Sequence, residues 1–143
     1  MVTINPYLNF DGNAEEAFNF YKSVFGGEFK MLSRFKDTTE AGKVLKEEEN
    51  KLMHISLPFG NGNVLMASDV LQSMGFKINP GNNFYLAVSA DSDEQATNFF
   101  NKLSTDGKIT MPLQKTFWGA YFGMLKDKFG VQWMISHDQN MQS

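Results

Sequence analysis

Tyr7-Leu8-Asn9-Phe10 leads into Asn13-Ala14-Glu15-Glu16-Ala17-Phe18-Asn19-Phe20-Tyr21, and the chain repeats the pattern later. Tyr85-Leu86-Ala87-Val88 leads into Ser92-Asp93-Glu94-Gln95-Ala96-Thr97-Asn98-Phe99-Phe100. Tyr85 follows Tyr7 by 78 positions (85 − 7), while Ala17/Ala96, Asn19/Asn98 and Phe20/Phe99 are each 79 apart. A repeat this long is not a solenoid period of roughly 20–50 residues but a duplicated supersecondary unit. Two like units bring two like sheets, and the space between such sheets is a natural ligand site.

Working outward, residues 3–10 form an expected strand. Asn13 with Glu16 matches a capping box, and Ala14, Ala17, Phe18, Tyr21 and Phe25 follow helical spacing until Gly26-Gly27 stops it. Strands are expected over 29–35, 52–57 and 64–68, the last two joined by a turn at Phe59-Gly60-Asn61-Gly62. Residues 36–51, centred on Glu47-Glu48-Glu49, have the composition of a solvated loop or hairpin tip. The second half repeats the order. A strand spans 83–90, and Ser92 with Gln95 opens a helix whose Ala96, Phe99, Phe100 and Leu103 share one face. Short strands follow near 109–117 and 119–126, and a last one over 131–136 after the turn at Asp127-Lys128-Phe129-Gly130. The whole reads as one α+β domain over 1–143. Module one is 1–69, a linker is 70–82 and module two is 83–143, each module β-α-β-β-β with a curled mixed sheet, the two forming a cup.

Bulk properties narrow the function classes. The chain has 143 residues, enough for a sizeable core. A formal charge of −3 gives no basic surface for nucleic acid. The absence of cysteine removes disulfides, thiolate nucleophiles and cysteine-bound zinc, and suits a reducing compartment. No signal peptide and no run of about 18 apolar residues is evident, so no membrane partner and a cytoplasmic location are expected.

Alternation along the strands separates two faces. One register collects Leu8, Phe10, Met53, Ile55, Leu57, Leu65, Ala67, Leu86, Val88, Trp133 and Ile135, all apolar and suited to lie under the helices. The other is mixed: Asn5, Tyr7, Asn9, His54, Ser56, Met66, Ser68, Tyr85, Ala87, Gln132, Met134 and Ser136. Apolar surface with a few amides, hydroxyls and aromatic rings is the composition of a small-molecule site.

Taken in order, these segments resemble the vicinal oxygen chelate superfamily, the glyoxalase/bleomycin resistance/dioxygenase group, and within it the PhnB-like branch. The resemblance rests on Tyr7 to Ala17 with Phe20-Tyr21, Phe25-Gly26-Gly27, and His54-Ile55 with Val64-Leu65-Met66-Ala67-Ser68-Asp69. It continues through Trp118-Gly119-Ala120-Tyr121-Phe122-Gly123 and Asp127-Lys128-Phe129-Gly130-Val131-Gln132-Trp133. It implies paired modules around a cavity, commonly in a homodimer. Some sequences of that branch carry a demethylubiquinone methyltransferase label, but no stretch here has the form of a nucleotide-cofactor glycine loop. The superfamily's metal enzymes bind a divalent ion at four strand positions, which the resemblance maps onto Asn5, Met66, Tyr85 and Met134. Two thioethers, a phenol and an amide suit such ions poorly. No metal and no cofactor are therefore expected.

The other chemistry-bearing residues weigh less. His54 is the one histidine within an expected strand, and it suits a general base or a ligand anchor as well as a plain structural bond. His137 is expected at the surface. Asp69 is expected to cap the turn after its strand, with ligand binding as the lesser alternative, and Asp127 is expected to be a turn residue. Trp118 and Phe122 either wall the cup or pack at an interface. The expectation is a metal-independent small-molecule binding protein whose cup is lined by Asn5, Tyr7, His54, Met66, Tyr85, Trp118, Phe122, Gln132 and Met134. The alternatives are an enzyme of the same fold using His54 as base, and a metal-dependent lyase or dioxygenase with ligands elsewhere.

Overall fold

The computed structural model describes residues 2–39 and 41–138. It divides into two compact units, the first ending at Asn79 and the second starting at Pro80. In the first, β1 (Tyr7–Phe10), α1 (Ala14–Phe25), β2 (Met31–Arg34), β3 (Leu52–Pro58) and β4 (Val64–Asp69) follow in order. In the second, β5 (Leu86–Ser89), α2 (Asp93–Leu103), β6 (Lys108–Lys115), β7 (Tyr121–Lys126) and β8 (Gln132–His137) repeat that order. Each unit holds one four-stranded open sheet, β1-β4-β3-β2 and β5-β8-β7-β6. The outer pairs β1/β4 and β5/β8 are parallel and the remaining pairs antiparallel. A parallel pair needs a long crossover, and the helix with its following hairpin supplies it. Among the described residues, no helix is long and apolar enough to cross a membrane.

One face of each sheet is sealed by its helix. In the first unit Ala14, Ala17, Phe18, Tyr21 and Val24 of α1 are buried, as are Leu8, Phe10, Ile55, Leu57, Leu65 and Ala67 of the strands. In the second, Ala96, Phe100 and Leu103 of α2 are buried with Leu125, Trp133 and Ile135. Gly123 makes this second packing possible. A Cβ there would come within 2.7 Å of the Phe100 ring and 2.8 Å of Leu113 Cα. The alternation expected from the sequence is right for most of the core, but Leu86 and Val88 are only half-buried, and one register shift intervenes. The β2/β3 register slips between Ser33 and Arg34. That bulge turns Leu52 (1% exposed) into the core, and Met53 stays half-buried.

Three local expectations are corrected. Asn13 makes no side-chain cap on α1. The amides at that helix start are held instead by Asp69, which was expected to cap a turn. Ser92 does cap α2, accepting from Gln95 N–H at 3.0 Å, while Gln95 Oε1 reaches back to Asp91 N–H. Finally, the charged stretch after β2 is no plain solvated loop. It forms short 3₁₀ turns at Phe35–Asp37, Ala41–Lys43 and Lys46–Glu48. Glu48 is buried, and its Oε1 accepts from Leu45 N–H and, at 2.7 Å, from Ser73 Oγ. The Ser73 bond holds the Glu48 carboxyl below its ordinary range.

Candidate functional site

The sheet faces turned away from the helices hold most of the candidate ligand residues. In the first unit the register lines up Tyr7 with Met66, Met66 with Ser56, and Ser56 with Met31. A neighbouring row holds Asn9 opposite Ser68, and Ser33 opposite His54. None of these residues is an Asp, Glu, Lys or Arg. Tyr7 is 47% exposed, and its phenol oxygen lies 3.2 Å from His54 Nδ1, with the ring centroids 5.7 Å apart. Of the residues expected to bind ligand, Tyr7, His54 and Met66 thus share one face. Asn5 is used differently: its Oδ1 accepts from Val64 N–H at 2.9 Å, tying the N-terminal segment to β4.

The matching face of the second unit has an apolar centre. Ala87 lies opposite Met134, Met134 opposite Met124, and Met124 opposite Met111, giving three thioethers in a row across β8, β7 and β6. Beside it, Ser136 pairs with Phe122 and Phe122 with Gln114. Trp118 stands edge-on to Phe122 at 6.1 Å, and Phe117, 98% exposed, stands edge-on to Trp118 at 5.0 Å. Gln132 donates through Nε2 to the Phe84 carbonyl at 2.6 Å, a strand-end tie like that of Asn5. Tyr85 is half-buried just before β5. Met111 escapes the sequence-based set because bulges on both sides of it break the simple alternation of β6.

Two buried aspartates serve the fold. Asp69 Oδ1 accepts from Gly12 and Ala14 N–H at 3.0 and 2.9 Å, and Oδ2 from Leu52 N–H at 2.8 Å. Asp127 is the turn residue expected, accepting from Phe129 and Val131 N–H, and it also accepts from Trp133 Nε1 at 2.9 Å. His137, expected at the surface, is instead largely covered. Its Nδ1 meets Asp93 Oδ1 at 2.8 Å, and Lys115 Nζ lies 3.1 Å from Asp93 Oδ2. The bond from His137, then that from Lys115, holds the Asp93 carboxyl below its usual range. The bidentate Arg34 guanidinium does the same to Glu15. An open surface dent of about 420 Å³ at the start of α1, lined by Gly12, Asn13, Glu15, Glu16 and Asn19, touches none of the expected ligand residues.

The donor chemistry does not fit a divalent ion. Asn5 oxygen is already engaged, Met66 and Met134 offer thioethers, and Tyr85 offers a phenol. Among the described residues, no group of three or more His, Asp or Glu side chains gathers elsewhere. A nucleotide phosphate fits no better. The α1 start that follows Gly12 has its amides filled by Asp69, and Gly60-Asn61-Gly62 opens a strand rather than a helix.

Comparison with known proteins agrees with this architecture. Residues 2–136 match the family model described as 3-demethylubiquinone-9 3-methyltransferase. Protein YjdN of Escherichia coli K12 is 31% identical over 141 residues, covering 93% of each chain. Protein PA1353 of Pseudomonas aeruginosa superposes with a TM-score of 0.86 at 36% identity, covering 96% of this chain and 98% of that one. A PhnB protein of Bacillus cereus gives 0.74 at 32%, covering 95% and 99%. A glyoxalase-related enzyme from Fulvimarina pelagi, at 18% identity and a TM-score of 0.62 over 96% and 89% of the chains, shares the fold alone. The chain therefore belongs to the PhnB-like family that this model describes, and its fold is that of the glyoxalase/bleomycin resistance proteins.

Proposed function

We propose that this protein binds an organic small molecule through its open sheet faces, without a metal ion. The observation that carries the reading is the set of half-exposed thioethers on faces no helix covers: Met66 in the first unit, Met124 and Met134 in the second. Unbranched, polarisable side chains adapt to varied apolar shapes and make favourable contacts with aromatic rings. With them go Tyr7 and His54 in the first unit and Trp118 and Phe122 in the second. Asn5 and Gln132 are committed to backbone carbonyl or amide partners and serve as struts. Phe84 (62% exposed) and Phe117 support a homodimer, and the lack of cysteine supports a cytoplasmic setting.

One observation favours an enzymatic reading beside it. His54 with Tyr7 is an imidazole–phenol pair on an otherwise uncharged face, a pairing able to place a proton at a substrate oxygen or nitrogen. A thermal-shift titration with 2-ethylnaphthalene separates the two. Binding predicts a concentration-dependent rise in Tm that the double change Met66→Lys with Met124→Lys abolishes and His54→Ala leaves intact. No rise at any concentration contradicts it, and turnover of any compound that His54→Ala destroys while the fold persists moves the assignment to an enzyme.

A further inference from the structure

The Tyr7–His54 contact has a direction. A phenol is a stronger acid than a neutral imidazole N–H, and an imidazole nitrogen is a stronger base than a phenol oxygen. Across 3.2 Å the hydroxyl of Tyr7 therefore donates and Nδ1 of His54 accepts. A ring whose Nδ1 accepts carries its proton on Nε2. Among the described residues, His54 has no side-chain hydrogen-bond partner other than Tyr7. Its Nε2–H is thus a donor that no hydrogen bond among the described residues uses.

Its surroundings say what would use it. Ser33 lies directly opposite on β2, and the adjoining row is Tyr7, Met66, Ser56 and Met31. Ser56 is buried, which leaves the two thioethers and the Tyr7 ring as the apolar wall beside the imidazole. No formal charge stands in either row to favour a charged ligand. The geometry points to His54 as a hydrogen-bond donor, through Nε2–H, for the carbonyl oxygen of a flat conjugated ligand, with Tyr7 as the positioning residue that fixes the tautomer. This rests on the small-molecule reading above and specifies it.

Nitrogen-15 NMR of the imidazoles tests the tautomer with no ligand present. The protein has two histidines, so His54→Gln assigns the signals at once. The expected result is a protonated Nε2 and an accepting Nδ1 on His54, with the Nδ1 signal moving when Tyr7→Phe removes the donor. A wild-type His54 protonated at Nδ1 overturns the inference. The ligand class is tested with a matched pair of probes, 2-acetylnaphthalene and 2-ethylnaphthalene, by calorimetric titration. One donated bond gives the acetyl compound an advantage of about 3- to 10-fold in wild type. That ratio falls to about 1 in His54→Leu, and it falls in Tyr7→Phe, which keeps the imidazole; the ethyl compound binds all three alike. Equal affinities in wild type overturn the anchor and leave the small-molecule reading standing. Binding of neither probe overturns both.

Discussion

The two units share a plan and differ in how they spend their polar groups. Met66 and Met134 are 68 positions apart (134 − 66), and the same offset carries Asp69 onto His137. In the first unit Asp69 is a buried acceptor that grips the start of α1 and the start of β3 through three amides. In the second unit His137 grips the side chain of Asp93 at the start of α2, and Ser92 caps the helix locally. One helix is fastened by a strand, the other largely by its own cap. The open faces differ in the same spirit. The first offers a phenol, an imidazole and hydroxyls, and the second offers a row of thioethers and edge-on aromatics. A duplicated scaffold keeps its hydrophobic alternation and its topology, because the core depends on both. It is free to diverge at strand ends and on the uncovered face, where nothing of the core is lost.

The sharpest way to break this comparison is Asp69→Ala. Three backbone donors lose their acceptor at once, so unfolding in urea should show a loss of about 3–5 kcal/mol. His137→Ala at the matching position should cost clearly less. Equal losses would mean that the two helix starts are held alike. Next is Trp133→Phe, which leaves Asp127 Oδ2 short of a buried partner and should cost about 1–2 kcal/mol by the same measurement. The caps give a smaller but cleaner contrast. Ser92→Ala should cost about 1 kcal/mol, whereas Asn13→Ala should stay within about 0.5 kcal/mol, because only Ser92 caps through its side chain. A large effect at Asn13 would restore the capping box suggested by its spacing.

The smallest effect is a pH dependence in the second unit. Asp93 is held below its ordinary value in the folded protein, so it binds its proton more weakly folded than unfolded. Its contribution is therefore complete above the unfolded carboxylate value of about 4 and fades as pH falls through the lower folded value. The stability gap between wild type and Asp93→Asn should be visible at pH 7 and close on acidification past that point. A gap that widens with acid contradicts the assignment.

What the sequence disclosed follows from what is periodic. Leu8, Phe10, Ile55, Leu57, Leu65 and Ala67 alternate through regular strands, so the core face was legible residue by residue. The β2/β3 bulge that exchanged Met53 for Leu52 was not, since nothing in a run of mixed residues marks an extra one. Asp69 was misread because its partners, Gly12, Ala14 and Leu52, are 57, 55 and 17 positions away, and local spacing cannot register them. Glu48 lay hidden in a charge run for the same reason: its partner Ser73 is 25 positions on. The Tyr7–His54 pair was half visible. Both residues fell on the right face, but their contact depends on strand order, β1-β4-β3, which no single strand contains.

Ligand binding that needs no cation is the central proposal. The direct measurement is calorimetric titration of 2-acetylnaphthalene into protein treated with a chelator, repeated after adding back Mn, Ni, Zn or Fe(II). Saturable binding of the same affinity in every sample is the expected result. Binding that vanishes on chelation and returns with one of those ions would contradict it.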